Sequence, residues 1–213
     1  MRVCSQDTLH STTSKIVADT YYTLSAESTG LVREKMSRFL SFAYPVASAD
    51  EAKQRISAIA NKYHDARHVC WAYMIGSART EYQSSDNGEP SGTAGKPILG
   101  QINSFNLTNI VIVVVRYFGG IKLGTSGLIV AYREAAREAI EAGTIIECHD
   151  IATVTFQFPY LSMNDVMRVA KDKEVKVVEQ SFDNSCSMTL STRADNMDAL
   201  RQRLADIDGV SII

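Results

Sequence analysis

The stretch Asn109-Ile-Val-Ile-Val-Val-Val-Arg116-Tyr-Phe118-Gly119-Gly120-Ile-Lys122-Leu-Gly124-Thr125-Ser126 decides how this chain folds. Ile110 to Val115 is an unbroken β-branched run, and such side chains favour extended backbone. Because the run does not alternate with polar residues, Asn109 to Phe118 reads as a strand buried on both faces. Gly119 to Gly124 reads as a tight connection. Thr125 or Ser126 then reads as the cap of a long helix that ends near Gly143. Leu128, Tyr132, Ala135, Ala136, Ala139 and Ile140 repeat at helical spacing and form its inward stripe.

Upstream, Leu31 to Pro45 alternates weakly and reads as one strand. Ser48-Ala-Asp-Glu51 is a capping box, in which serine accepts from a backbone N–H and glutamate reaches back. Ile56, Ile59, Ala60 and Tyr63 follow at helical spacing, so a helix runs to about Lys62. His68 to Ile75 alternates with period two and puts Val69, Trp71 and Tyr73 on one strand face. Trp71 reads as core rather than as a stacking platform. Ser84 to Pro97 is a loop by composition, followed by a short helix from Ile98 to Phe105. The first twenty residues are polar, rich in Ser and Thr, and expected to be poorly ordered at the start.

After Asp150 the pattern restarts, with strands over 152–158, 174–182, 185–192 and 210–213 and helices over 162–171 and 195–207. Asp183-Asn184 fits a two-residue hairpin turn. This βαββαβ order is that of ferredoxin-like domains. The expected class is therefore α+β, with domains over 1–148 and 149–213. The second has no clustered polar motif and reads as a recognition or support module.

Bulk properties narrow the function. The chain has 213 residues, 45% hydrophobic and 22% charged, which excludes disordered and fibrous classes. No apolar run nears the roughly 18–20 residues of a membrane helix, and no secretory leader is visible. Cys4, Cys70, Cys148 and Cys186 have no paired spacing, which points to reduced thiols and a cytoplasmic location. With a net charge of -2, contact with nucleic acid has to come from a local basic patch.

The glycine segment nearly fits a P-loop, but Thr125 stands where the phosphate-reaching lysine belongs. A plainer anion site survives, with helix N–H groups, Gly119 and Gly120 for close approach, and Arg116 and Lys122 on its flanks. Equally, these glycines could only turn the chain. His64, His68 and Cys70 do not make a ligand set, because His64 precedes the strand and four ligands are usual for structural zinc. No metal and no cofactor is expected. For catalysis, His68 with Asp86 or Glu89 offers a base and its orienter, and Ser91, Thr125 or Ser126 a nucleophile. No G-x-S-x-G elbow is present, and such loops commonly use these groups to satisfy their own turns.

Taken together, His64-Asp-Ala-Arg67-His68-Val-Cys70-Trp-Ala-Tyr73, Ser85-Asp-Asn-Gly-Glu-Pro-Ser-Gly-Thr-Ala-Gly-Lys-Pro97 and Val115-Arg-Tyr-Phe-Gly-Gly-Ile-Lys-Leu-Gly124 resemble the YigZ/IMPACT family. Lys35, Ser37 and Phe39 fit an early K-x-S-x-F element, and the later part resembles the C-terminal domain of bacterial members. Asn87 stands where relatives often carry an acid. The resemblance implies a first domain of the ribosomal protein S5 domain 2-like fold and a second similar to domain V of elongation factor G. It also implies a link to translation, because eukaryotic relatives regulate initiation by limiting activation of an initiation-factor kinase. They do so partly through an RWD domain, which this sequence is not expected to carry.

Three readings follow. The first is a non-enzymatic regulator of translation that contacts the ribosome, RNA or a translation factor. Its site candidates are Arg67, His68, Asp86, Glu89, Arg116, Gly119, Gly120, Lys122, Thr125 and Ser126. The second is a hydrolase acting on a phosphorylated or peptide-like small molecule through the His68, Asp86 and Glu89 region. In the third the motifs are purely architectural, and burial of Asp86, Glu89 and Arg116 as internally paired charges would favour it.

Overall fold

The computed structural model describes residues 20–182 and 186–213. The opening polar stretch and the Asp183-Asn184 turn lie outside those residues. The chain forms two α+β domains whose apolar cores share no residue.

The first is built on a five-stranded sheet. Its strands are β2 (Ser28–Glu34), β3 (Ser37–Pro45), β4 (His68–Ile75), β5 (Glu81–Ser85) and β6 (Ile110–Tyr117), in the antiparallel order β2-β3-β6-β4-β5. The β-branched run lies in the central strand β6, and Ile110 to Val115 are fully buried. Helix α1 (Ala49–Lys62) covers one face through Ala52 and Ile59 against Phe42, Val111 and Val113. Helices α2 (Gly95–Ser104) and α3 (Gly124–Glu141) cover the other, packing Ile98, Ile102, Leu128 and Tyr132 on Phe39, Ile112 and Val114. Burial of each large aliphatic side chain here contributes about 1.5–3 kcal/mol. Strands β1 (Thr20–Leu24) and β7 (Ile145–His149) pair into a separate antiparallel ribbon that the sequence pattern does not reveal.

Several expectations need correction. Leu31 to Pro45 is not one strand but most of the hairpin β2–β3, which turns at Lys35-Met36. Both residues have positive φ (44° and 71°), as a type I′ turn requires, yet neither is the Gly, Asn or Asp that advertises one. Strand β5 is an edge strand of Glu81-Tyr-Gln-Ser-Ser85, polar because much of it meets solvent. Helix α2 begins at Gly95, earlier than Ile98. Thr125 and Ser126 do not cap α3; they sit inside its first turn, and Leu123 holds the cap position without a side-chain hydrogen bond. The capping box of α1 forms as read. Glu51 N donates to Ser48 Oγ at 3.2 Å and Ala47 N to Glu51 Oε2 at 2.8 Å.

The second domain comprises β8 (Ile151–Phe158), α4 (Met163–Ala170), β9 (Lys176–Phe182), β10 (Cys186–Arg193), α5 (Met197–Ala205) and β11 (Ser211–Ile212). The βαββαβ order matches the reading, and the antiparallel sheet runs β11-β8-β10-β9. Both helices lie on one face, with Val166, Val169, Leu200 and Leu204 packed on Phe156, Met188 and Leu190. Among the described residues no helix is long and apolar enough to cross a membrane.

Candidate functional site

The sheet register gathers the sequence motifs at one end of the first domain. Arg116 pairs with Phe39 on one side and His68 on the other, so the start of β3, the end of β6 and the start of β4 meet there. The segment after β5 crosses the same end, on the side of α2 and α3.

Beneath that end lies a buried ion pair. Arg116 Nη1 donates to Glu89 Oε1 at 2.6 Å, with both side chains more than nine-tenths buried. Tyr132 Oη donates to the same oxygen at 2.8 Å. The Arg116 guanidinium carbon lies 5.5 Å from the ring centres of both Phe39 and Phe118. Removing two charges from water costs several kcal/mol each, and the short hydrogen bonds and aromatic faces offset that cost. Arg116 is therefore not the free cation expected at an anion site. Glu89, expected beside a catalytic base, holds Arg116 and Tyr132 instead.

Asp86 is also occupied. Its Oδ2 accepts from Gly92 N at 2.7 Å, and its Oδ1 from Ala94 N at 2.9 Å and Gly95 N at 2.8 Å. These donors include the entry to α2, where Ala94 in the cap position has no side-chain acceptor to offer. A remote carboxylate thus caps the helix, which suits the positive end of its dipole. Burial pushes the Asp86 pKa upward, but the N–H groups of Gly92, Gly95 and Ala94, with Lys96 nearby, outweigh it and hold the pKa below the usual value. The preceding turn closes through Glu89 N to Asp86 O at 3.0 Å. Its central residues are Asn87 and Gly88 at φ 41° and 81°, and asparagine tolerates that left-handed conformation well.

His68 and Cys70 belong to the same support. His68 Nδ1 donates to Asn87 O at 2.9 Å, which assigns its proton to that nitrogen. The Cys70 thiol lies 2.9 Å from Asp86 O and 3.3 Å from Tyr132 Oη. Burial pushes its pKa up to about 12, a shift that the Tyr132 contact opposes without cancelling. A thiol of that kind is unreactive. At pH 8, alkylation of Cys70 in the native protein is expected to be at least about a hundredfold slower than in urea, as peptide mapping after timed iodoacetamide treatment would read. Equal rates would mean that the network opens readily.

Two of the glycines differ in role. A Cβ on Gly119 would stand 2.1 Å from the Met36 backbone, so the glycine is demanded by close approach to the β2–β3 turn. Gly120 meets nothing within 4 Å but has φ 89°, which glycine adopts at no steric cost. Arg67, Gly120, Lys122, Thr125 and Ser126 are exposed. Among the described residues no hydrogen bond joins Ser91, Thr125 or Ser126 to His68, Asp86 or Glu89. No three His, Cys, Asp or Glu side chains there converge as metal ligands.

The exposed face of this end holds Arg33 and Arg38, which the sequence reading did not single out, beside Arg67, which it did. Arg33 lies directly opposite Arg38, Arg38 opposite Tyr117, and Arg67 continues the row one residue before the His68–Arg116 pair. The Arg38 guanidinium lies 5.3 Å from the Tyr117 ring centre, and Tyr117 Oη donates to Asp65 Oδ1 at 2.8 Å. Arg33, Arg38 and Arg67 are exposed, and among the described residues none has a carboxylate within 4.0 Å. Met36, Phe118 and Ile121 add exposed apolar surface beside them. A hairpin reading of residues 28–45 would have revealed the Arg33–Arg38 pairing.

Fold and site together define a two-domain α+β protein whose motif residues build a scaffold beneath an open basic surface. Residues 35–140 match the family model of the Impact N-terminal domain. The chain is 30% identical over 180 residues to the IMPACT family member YigZ of Escherichia coli, covering 84% of this chain and 88% of that one. It is 41% identical over 117 residues to the IMPACT family member YvyE of Bacillus subtilis, covering 55% and 54% of the two chains. A crystal structure described as that of a hypothetical protein superposes with a TM-score of 0.71 at 27% identity, covering 92% of this chain and 97% of that one. The chain belongs to the IMPACT family.

Proposed function

We propose that this protein is a non-enzymatic module of translation that binds RNA, alone or in the ribosome, through the arginine row at the end of its first sheet. The observation that carries this reading is the Arg33–Arg38 pair. Like charges directly opposite on a sheet are destabilising, and among the described residues neither has a carboxylate within 4.0 Å. An anionic ligand removes the repulsion. Arg67 extends the row, Lys35 and Lys122 lie on neighbouring turns, and the phosphate backbone of RNA meets such a row with charge-assisted hydrogen bonds. The link to translation comes from the family's eukaryotic members.

The geometry gives a hydrolase less support. Such an enzyme needs a base beside a nucleophile, and here the carboxylates of Asp86 and Glu89 hold backbone N–H groups, Arg116 and Tyr132. Buried, paired Glu89 and Arg116 instead give the motifs an architectural role beneath a binding surface.

The test is retention on a short single-stranded RNA across a salt series, with the triple variant Arg33→Ala, Arg38→Ala, Arg67→Ala beside the parent. The expected plot of log affinity against log salt has a slope of about -2 for three phosphate contacts. The variant should bind at least about tenfold more weakly while unfolding at the same temperature, since exposed substitutions cost little stability. Equal binding by both proteins, or no binding at low salt, would overturn the proposal.

A further inference from the structure

We infer that a cavity at one end of the second sheet is a separate binding site for a small phosphorylated ligand of mononucleotide size. The cavity encloses about 490 Å³, within the roughly 300–1,000 Å³ of small-molecule sites. Lys173, Lys176 and Arg193 line it, together with Glu174, Ser191 and Ile151.

The strand register explains how these groups meet. Along β10, Leu190 faces the helices, so Ser191 and Arg193 point to the opposite side of the sheet. Lys176 lies opposite Ser191 and Ile151 opposite Arg193. Lys176 and Arg193 are therefore diagonal neighbours across Ser191, at a Cβ spacing somewhat under about 7–8 Å. That spacing leaves room for one phosphate between the two side chains. Ser191 is only 8% exposed although it faces away from the core, which places it on the cavity floor. Ile151, 65% exposed, offers apolar contact to the rest of a ligand.

The wall that carries Lys173 is held in place without a ligand. Arg203 Nη1 donates to Asp172 Oδ2 at 2.8 Å, Val175 N to Asp172 O at 3.0 Å and Thr192 Oγ1 to Glu174 O at 2.9 Å. Two carboxylates lie near. Asn196 Nδ2 donates to Glu174 Oε2 at 3.2 Å, and Ser77 Oγ donates to Asp150 Oδ2. Among the described residues no carboxylate comes within 4.0 Å of Lys173, Lys176 or Arg193. Three cations against one lining acid leave the cavity positively charged, and its concave shape favours a compact anion over a long strand. A phosphate ester or diphosphate meets both demands. The open arginine row of the first domain is a different surface, so this inference does not depend on the RNA-binding proposal.

The experiment is calorimetric titration of the full chain with ADP, pyrophosphate, adenosine and a short RNA, repeated on the double variant Lys176→Ala, Arg193→Ala. ADP and pyrophosphate are expected to bind the parent with Kd below about 1 mM, and adenosine to give no heat. The variant, with an unchanged unfolding temperature, should bind ADP at least about tenfold more weakly and bind RNA as the parent does. Absence of binding by both ADP and pyrophosphate overturns the inference, as does equal ADP affinity in the two proteins. A variant that loses RNA binding but keeps ADP binding overturns it too, by assigning the cavity to a nucleic-acid path.

Discussion

Glu89→Ala is expected to destabilise the first domain by about 4 kcal/mol, because breaking one side of a buried ion pair leaves the other charge uncompensated. Arg116 would keep its place between the Phe39 and Phe118 rings but lose the acceptor at 2.6 Å. It has little reserve, since its Nε is already buried without a hydrogen-bond partner among the described residues. Tyr132 Oη loses its acceptor in the same step. Trp71 is the only tryptophan of the chain and lies on β4, so its fluorescence in urea follows this domain alone. That matters because a two-domain chain need not unfold in one step. A loss below about 1 kcal/mol would mean that the pair is solvated and the network loose.

The companion double variant separates scaffold from contact. Replacing a whole buried pair by apolar residues of similar volume is often neutral, so Glu89→Leu with Arg116→Met should recover most of the stability lost by Glu89→Ala. The same protein should retain RNA, because neither side chain belongs to the exposed arginine row. If stability returns and RNA binding does not, Arg116 reaches the ligand and the surface extends inward.

The distinction between Arg116 and Arg38 shows where sequence reading stops. Both are arginines near aromatic residues, yet one is buried and the other exposed. The partner that decides the matter, Glu89, is 27 residues from Arg116. What was legible rested on local chemistry: the β-branched run of β6, the serine–glutamate box of α1 and the apolar stripe of α3 each carry their signal within one element. What was not legible depended on backbone strain or on distant pairing. Lys35 and Met36 make a tight turn without turn residues because β2 and β3 are held by the sheet around them. Strands β1 and β7 pair across more than a hundred residues, with Thr20 opposite His149. The polar loop from Asp86 to Ala94 carries candidate catalytic groups within a composition typical of self-satisfied turns, and its hydrogen bonds name the partners that composition leaves open.

Asp86 gives the sharpest check on that loop. Asp86→Ala removes the acceptor of three backbone N–H groups and is expected to cost about 3 kcal/mol, in the range of charge-assisted hydrogen bonds left partly unmade. Asp86→Asn keeps one acceptor oxygen and should fall between the two. The pH dependence has a definite sign. Because the folded-state pKa lies below the ordinary aspartate value of about 3.9, the stabilisation is fully present above about pH 4 and disappears as pH falls through the folded-state value. The gap between the parent and Asp86→Asn should therefore be constant from neutral pH down to about pH 5 and shrink towards pH 2. Trp71 lies opposite Ser85 in the β4–β5 pairing, next to the residue in question, and serves again as the reporter. A gap unchanged at about pH 2 would show that the carboxylate charge contributes nothing and that oxygen geometry alone holds the entry to α2. A gap that closes would establish Asp86 as an ionised cap, committed to the loop and withdrawn from acid–base chemistry.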